Sequence, residues 1–152
     1  MIYMIKKIYK ETLHEIKDAT QHLDTTMSNV LYDIVKLTKI KKKFNIINFW
    51  DMFKPNVKKC YSILNTDKES DIGAGTHWVA VYQKDDIIYI YDSFARKRIM
   101  KPFVDKMKHL GFKCLYINKK SDQQTHQFDC GLRSLLFLLF VQKFGIEKAK
   151  LI

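Results

Sequence analysis

Proline and glycine are scarce in this chain of 152 residues, which has 2 of one and 5 of the other. With so few, no long flexible linker divides the sequence, and a single domain over 1–152 is expected. Cysteine is scarce as well. Cys60, Cys114 and Cys130 make an odd number with no two close together, which argues against a disulfide-stapled secreted domain. No histidine pair stands at ligand spacing, so neither a metal site nor a cofactor is indicated. The longest apolar run, residues 135–141, falls far short of the ~20 residues a bilayer span needs. The first residues, Met1-Ile2-Tyr3-Met4-Ile5-Lys6-Lys7, lack the apolar stretch of a signal peptide. These absences together suggest an intracellular protein with reduced thiols and no membrane partner.

What the chain does have is material for a core. It is 47% hydrophobic and 13% aromatic, enough to exclude a disordered chain. A chain of this length buries on the order of 70% of the surface its unfolded form exposes. Against 27 Lys and Arg stand 16 Asp and Glu, a net charge of +11. Lys39-Ile40-Lys41-Lys42-Lys43 is the densest basic cluster. One reading of that charge is a solvated lysine coat. The other is a polyanion partner such as DNA, bound without sequence preference. Neither a recognition motif nor interleaved aromatics accompany the basic runs.

The hydrophobic pattern predicts a helix over 11–23 with Leu13, Ile16 and Leu23 on one face. A second helix, capped by Asp24 or Ser28, would turn Val30, Leu31, Ile34, Val35 and Leu37 inward. Residues 44–54 are aromatic and irregular, with Phe44, Phe49, Trp50 and Phe53, and Pro55 breaks the chain. A strand follows over 57–64, then a polar loop over 66–75. Two β-rich runs, 77–83 and 87–91, flank Lys84-Asp85-Asp86 and read as a hairpin. A helix over 97–110 would bury Phe103, Met107 and Leu110 and end at Gly111. A strand over 113–118, a polar loop over 119–128 and a helix over 129–144, apolar on most faces, complete the chain. The fold class is α+β: a largely antiparallel central sheet packed by helices.

The chemistry concentrates where the last polar loop meets its helix. Gln124-Thr125-His126-Gln127-Phe128-Asp129-Cys130-Gly131 places a thiol at a helix N-terminus, where unpaired N–H groups and the helix dipole favour a thiolate. Gly131 leaves room for a substrate backbone. A free cysteine is, however, most often a small buried hydrophobe. His77 opens a strand beside Trp78, which can shield one side of a site from water. Asp92 closes the paired strand, where a carboxylate can hold an imidazole's tautomer. A loop histidine and a turn aspartate are the plainer readings of those two. Asp85 and Asp86 suit the tip of the hairpin. His126, four residues before Cys130, competes with His77 as base, while His14, His22 and His109 look like surface residues. Gln123, Gln124 and Gln127 can each offer an amide N–H to an oxyanion, and spacing alone does not choose among them.

Three segments of the sequence resemble the adenovirus-protease and ubiquitin-like-protein-protease superfamily of cysteine proteases. They are Gly75-Thr76-His77-Trp78-Val79-Ala80, then Tyr91-Asp92-Ser93-Phe94, then Gln124 through Asp129-Cys130-Gly131-Leu132. Their order of His, Asp, Cys is the superfamily's and the reverse of papain's. The stretch from Ile63 to Asp67, ahead of Gly73, is similar to that of maturation proteases from virophages, Polinton-like elements and other large DNA viruses. The resemblance covers about residues 57–142. It implies an adenain-like, circularly permuted papain-like fold with the reactive cysteine at the start of a buried central helix. It also implies Cys130 as nucleophile, His77 as general base, Asp92 as its orienter and Gln124, six positions before the cysteine, as the oxyanion glutamine. Trp78 and Gly131 would line the site.

Carried further, the resemblance implies an endopeptidase that cuts capsid precursors after small, glycine-rich motifs, acting in the virion and the host cytoplasm or virus factory. DNA and an activating peptide would be its partners besides the protein substrate. Cys114 falls near the position where the adenovirus enzyme links its peptide, although a buried strand cysteine is the plainer reading of it. The same four residues suit a protease specific for ubiquitin or SUMO-like proteins. An acetyltransferase on this scaffold and a non-enzymatic DNA-binding virion component are further alternatives. The short interval between His77 and Cys130 leaves little room for the elements with which cellular enzymes hold ubiquitin-like proteins.

Overall fold

The computed structural model describes residues 2–19, 44–47, 50–55, 59–66, 77–118, 120–121 and 130–152. Two long β-rich runs make the centre of the structure. Strand β3 (Trp78–Lys84) and strand β4 (Ile87–Tyr91) pair antiparallel, with Lys84 opposite Ile87. The two residues between them, Asp85 and Asp86, form the turn, and Asp85 takes a positive φ of 56°. Aspartate is among the few side chains that visit this region readily. Strand β2 (Cys60–Asn65) adds antiparallel to the other side of β3. Strand β1 (Asn45–Ile47) then joins β2, and β5 (Lys113–Tyr116) joins β4, both in parallel. The five-stranded sheet is thus mixed, in the order β1-β2-β3-β4-β5. The expected largely antiparallel sheet is confined to its three inner strands. The parallel β4–β5 edge arises because β4 reaches β5 through a crossover helix, a connection that returns the chain in the same direction.

Alternation along the strands sends side chains to two cores. One face carries Tyr61, Ile63, Trp78, Ala80, Tyr82, Tyr89 and Tyr91, and packs under two helices. These are α1 (Ile2–Ala19) and α3 (Cys130–Phe144). The other face carries Leu64, Val79, Val81, Ile88 and Ile90. It is covered by a 3₁₀ turn (Trp50–Met52), Phe53 and helix α2 (Lys101–His109). Helices on both faces explain why the central strands read as almost continuous apolar runs.

Helix α3 is buried from Cys130 through Leu138, as its all-round apolarity predicts. Phe137 stacks on Tyr91 with ring centroids 4.9 Å apart. Gly145, at φ 83°, turns the chain into a last short helix, α4 (Ile146–Ala149), which periodicity over so few residues did not announce. Among the described residues no helix is long and apolar enough to cross a membrane.

Several expectations shift. Helix α1 begins at Ile2, nine residues before the expected start. Ile5, Tyr9 and Leu13 form its buried stripe, and the intervening lysines disguise that four-residue period. Of the three inward residues expected there, Leu13 is buried, the side chain of Ile16 is not among those described, and Leu23 lies outside the described residues. So do the whole proposed second helix and most of the 66–75 and 119–128 loops. Residues 44–54 are not wholly irregular, since β1 lies within them. Helix α2 starts at Lys101 rather than Lys97 because Pro102 sits in its first turn, the helical position that tolerates proline best.

Phe103 and Met107 are buried as expected, but Leu110 is 52% exposed. It is the C-cap residue, past the last helical turn that faces the core. Gly111 follows at φ 95°. Its N–H donates to Lys108 O, and that of Phe112 donates to Met107 O, the pair of bonds that closes a helix through a left-handed residue. Gly111→Ala meets no atom within 4 Å, so its cost is conformational. It should lower stability by about 1 kcal/mol, read as a shift in the urea midpoint at unchanged m-value.

Candidate active site

His77 lies immediately before β3, and its carbonyl accepts Thr66 N–H at 3.0 Å, extending the β2–β3 ladder. Asp92 follows the last residue of β4. Because β3 and β4 are neighbours in antiparallel register, the start of one and the end of the other meet at the same edge. His77 Nε2 and Asp92 Oδ1 stand 2.6 Å apart, with both residues buried. The carboxylate is held well below the usual Asp range. Burial works against this, but the bond and charge of His77 outweigh it, with help from the Phe94 and Arg96 N–H groups. Asp92 is therefore an acceptor, and His77 Nε2–H is the donor.

A tight turn builds the rest of the carboxylate's cradle. Phe94 N–H donates to Oδ1 at 2.9 Å and Arg96 N–H to Oδ2 at 3.0 Å. Ala95 N–H donates to Asp92 O at 2.8 Å, and Ala95 adopts φ 53°. That left-handed residue carries the chain round so that Arg96 can face the carboxylate. The Phe94 ring then lies against the His77 imidazole, with centroids 5.0 Å apart. The Arg96 guanidinium caps the Phe94 ring at 4.2 Å.

Cys130 is the first residue of α3 and is buried. It reaches the same place from the helical layer. His77 has a pKa raised from 6.5 to about 9. Burial alone would lower it. The bond to Asp92 and its charge, with Cys130 close by, more than reverse that effect. Yet buried His77 Nδ1 makes no hydrogen bond of ordinary geometry to the described residues. The Cys130 thiol lies close to the imidazole. Such contacts commonly tighten only when substrate binds.

One bond fixes the helix against the strand. Ser134, one turn beyond Cys130, donates its hydroxyl to Trp78 O at 3.2 Å, with both residues buried. Trp78 adjoins His77, so this bond sets the approach of thiol to imidazole. No known family model matches this chain, and no curated protein does. What the site can do must be read from its own geometry.

The structure brings His77, Asp92 and Cys130 together. Trp78 is buried in the core cluster that includes Cys130, and Gly131 is buried in the first turn of α3. Gln124, its competitors Gln123 and Gln127, and His126 lie outside the described residues. Asp85, Asp86, His14 and His109 are exposed and take no part. Cys60 shares its sulfur with Ser62 Oγ at 3.2 Å, and burial pushes the Cys114 thiol up. Neither stands near the imidazole.

Sequence reasoning did not find Ser134 or Asn118. Asn118 follows β5 and grips the main chain of Asp92. Its Oδ1 accepts Asp92 N–H at 3.3 Å, and its Nδ2 donates to Asp92 O. The parallel β4–β5 pairing puts the two strand ends side by side, a signal available only once β5 is known to be parallel. Asn118→Ala should strand two partly buried main-chain groups and cost about 1–3 kcal/mol, measured by chemical denaturation. Asn118→Asp keeps the acceptor but loses the donor to Asp92 O, so it should not restore the lost stability.

Proposed function

We propose that the chain is a cysteine endopeptidase that processes virion precursor proteins, built on the permuted papain-like plan of the superfamily its motifs resemble. The observation that carries this reading is the buried line of Cys130, His77 and Asp92, with the thiol at a helix N-terminus. An imidazole with a pKa raised to about 9 holds its proton at neutral pH and is ready to act as the acid of the reaction.

In this mechanism the Cys130 sulfur attacks the scissile carbonyl carbon. The tetrahedral oxyanion develops at the N-terminal end of α3, where the helix dipole favours negative charge. The resemblance adds the amide of Gln124. As the C–N bond breaks, His77 Nδ1–H gives its proton to the leaving amine. His77, now neutral, takes a proton from water, which attacks the thioester carbonyl and releases the acid and the thiolate. Asp92 keeps Nε2–H as donor throughout, so Nδ1 is the nitrogen that exchanges the proton.

The substrate class follows from the same resemblance: capsid precursors cut after small, glycine-rich motifs, inside particles or virus factories. The +11 charge suits a search along packaged DNA and predicts cleavage that weakens as salt rises. The test is covalent trapping. A glycine-rich peptide carrying a vinyl sulfone in place of the scissile bond should modify Cys130 and leave Cys60 and Cys114 free, as read by mass spectrometry of the digested protein. Modification spread evenly over the three thiols would sink the proposal.

A further inference from the structure

The turn that cradles the Asp92 carboxylate continues into three consecutive cations, Arg96, Lys97 and Arg98, all exposed. Arg96 is the one joined to the candidate active site. Its guanidinium carbon stands 4.2 Å from the centroid of the Phe94 ring, and that ring stands 5.0 Å from the His77 imidazole. Lys97 is engaged elsewhere, with Nζ 5.5 Å from the centroid of the Tyr116 ring. Among the described residues no Asp or Glu forms an ion pair with Arg96.

Stacking occupies the flat face of a guanidinium and leaves its N–H donors along the edges. A carboxylate can take two of them at once. The backbone beneath is fixed in advance. Arg96 N–H donates to Asp92 Oδ2 at 3.0 Å, Arg96 O accepts Ile99 N–H at 3.2 Å, and Met100, only 1% exposed, anchors the end of the turn. A cation held in place loses less ordering entropy on meeting its partner than one on a mobile stem. The leaving amine must reach His77 to take its proton, so the part of a substrate that follows the scissile bond lies on the imidazole side. Two steps of 5.0 and 4.2 Å lead from the imidazole to the guanidinium, a span of two or three extended residues at ~3.3 Å each.

We propose that Arg96 is a specificity-determining residue that reads an acidic side chain two or three positions after the scissile bond. The inference rests on the endopeptidase reading and names its substrate class: precursors whose released segment opens on a short acidic stretch. The acid accepts from the guanidinium edge while Phe94 stays packed between guanidinium and imidazole. One turn thus holds the Asp92 carboxylate through the Arg96 backbone and the substrate through the Arg96 side chain.

The test is equilibrium binding to the whole Cys130→Ala chain, so it does not depend on cleavage. Two fluorescent peptides are compared by anisotropy, one carrying Gly-Gly-Ala-Glu-Glu and the other Gly-Gly-Ala-Gln-Gln. The acidic peptide should bind about fivefold or more tightly, the scale of a well-formed carboxylate–guanidinium pair. Adding Arg96→Gln, which keeps the backbone N–H to Asp92, should erase that preference. Adding Lys84→Gln, an equal change of charge at the exposed far end of β3, should leave it within about twofold, since distant exposed charges are screened. A preference that survives Arg96→Gln, or that falls equally with Lys84→Gln, overturns the proposal. Equal binding of the two peptides, or binding of neither, overturns it as well. So does a single-stranded oligonucleotide that binds in an Arg96-dependent way when neither peptide does. Cleavage of both peptides by the wild-type chain, with no preference that depends on Arg96, would sink this inference and leave the protease reading standing. An Arg96-dependent preference in a chain whose wild type cleaves nothing would do the reverse.

Discussion

Cys130→Ala should leave no measurable cleavage of a precursor substrate, a loss of about 10⁴-fold or more. Removing the nucleophile of a unit that acts through three residues costs nearly all of what the unit provides, and only oxyanion and binding contributions survive. The variant is also a clean one. Cys130 is 3% exposed in the first turn of α3, and exchanging sulfur for hydrogen removes a single heavy atom there. The expected cost is about 1 kcal/mol, so the protein should melt within a few degrees of wild type. Ser134 still ties α3 to Trp78, so the geometry persists while the chemistry is gone. Cys60→Ala and Cys114→Ala are the matching controls. One thiol shares a bond with Ser62 on the opposite face of the sheet and the other sits on edge strand β5, so both variants should retain activity within about threefold. A Cys130→Ala protein that cleaves at even a hundredth of the wild-type rate would end the cysteine-protease reading.

Much of the site was readable from the sequence because its parts sit where local patterns are strongest. The β3–β4 hairpin is set by two β-rich runs and a two-residue acidic turn, and His77 and Asp92 are the residues that bracket it. Once that hairpin is granted, antiparallel register alone brings the two to one edge. Cys130 follows in the same way from the polar-to-apolar break that starts α3. What stayed hidden depends on contacts distant in sequence. Asn118 acts on Asp92 only because β5 runs parallel to β4, and the sequence does not state strand direction. Ser134 looks like a lone polar residue on an apolar helix until its bond to Trp78 O is seen. The mixed character of the sheet was missed for a related reason. β1 is three residues long, too short for alternation to register, and β5 reads the same in either direction. The long lysine-rich start of α1 shows the reverse case, in which a true helical period, Ile5-Tyr9-Leu13, is masked by residues that simply face water.

Asp92→Asn should lower kcat/KM by about 10²- to 10⁴-fold, although the two side chains are nearly the same size. The carboxylate accepts at both oxygens: His77 Nε2–H and Phe94 N–H at Oδ1, Arg96 N–H at Oδ2. An amide has one acceptor and one donor. If its NH₂ takes the place of Oδ2, it meets the Arg96 N–H donor. If it takes the place of Oδ1, it meets Phe94 N–H and also turns a donor toward Nε2. The imidazole must then carry its proton on Nδ1, and the neutral ring can no longer accept one from the Cys130 thiol.

The loss of charge has a pH signature too. In the wild type the folded-state pKa of His77 is about 9, above the ordinary 6.5. A raised pKa means stability that is fully present below pH 6.5 and lost as pH rises through about 9, worth ~3 kcal/mol at 1.4 kcal/mol per unit. The Asp92 pKa is lowered, so its share is present above the ordinary Asp range and lost on acidification. Both describe one interaction and are not summed. Asp92→Asn removes the strongest support for the His77 proton. It should therefore destabilise the fold most near pH 6 and least above pH 9. The alkaline limb of the rate profile, set in the wild type by loss of the His77 proton, should move to lower pH. Denaturant titrations at pH 6 and 9.5 and a rate profile between them check both effects. Equal destabilisation at the two pH values, or an alkaline limb that stays where it is in the wild type, would show that Asp92 does not hold the imidazole's proton.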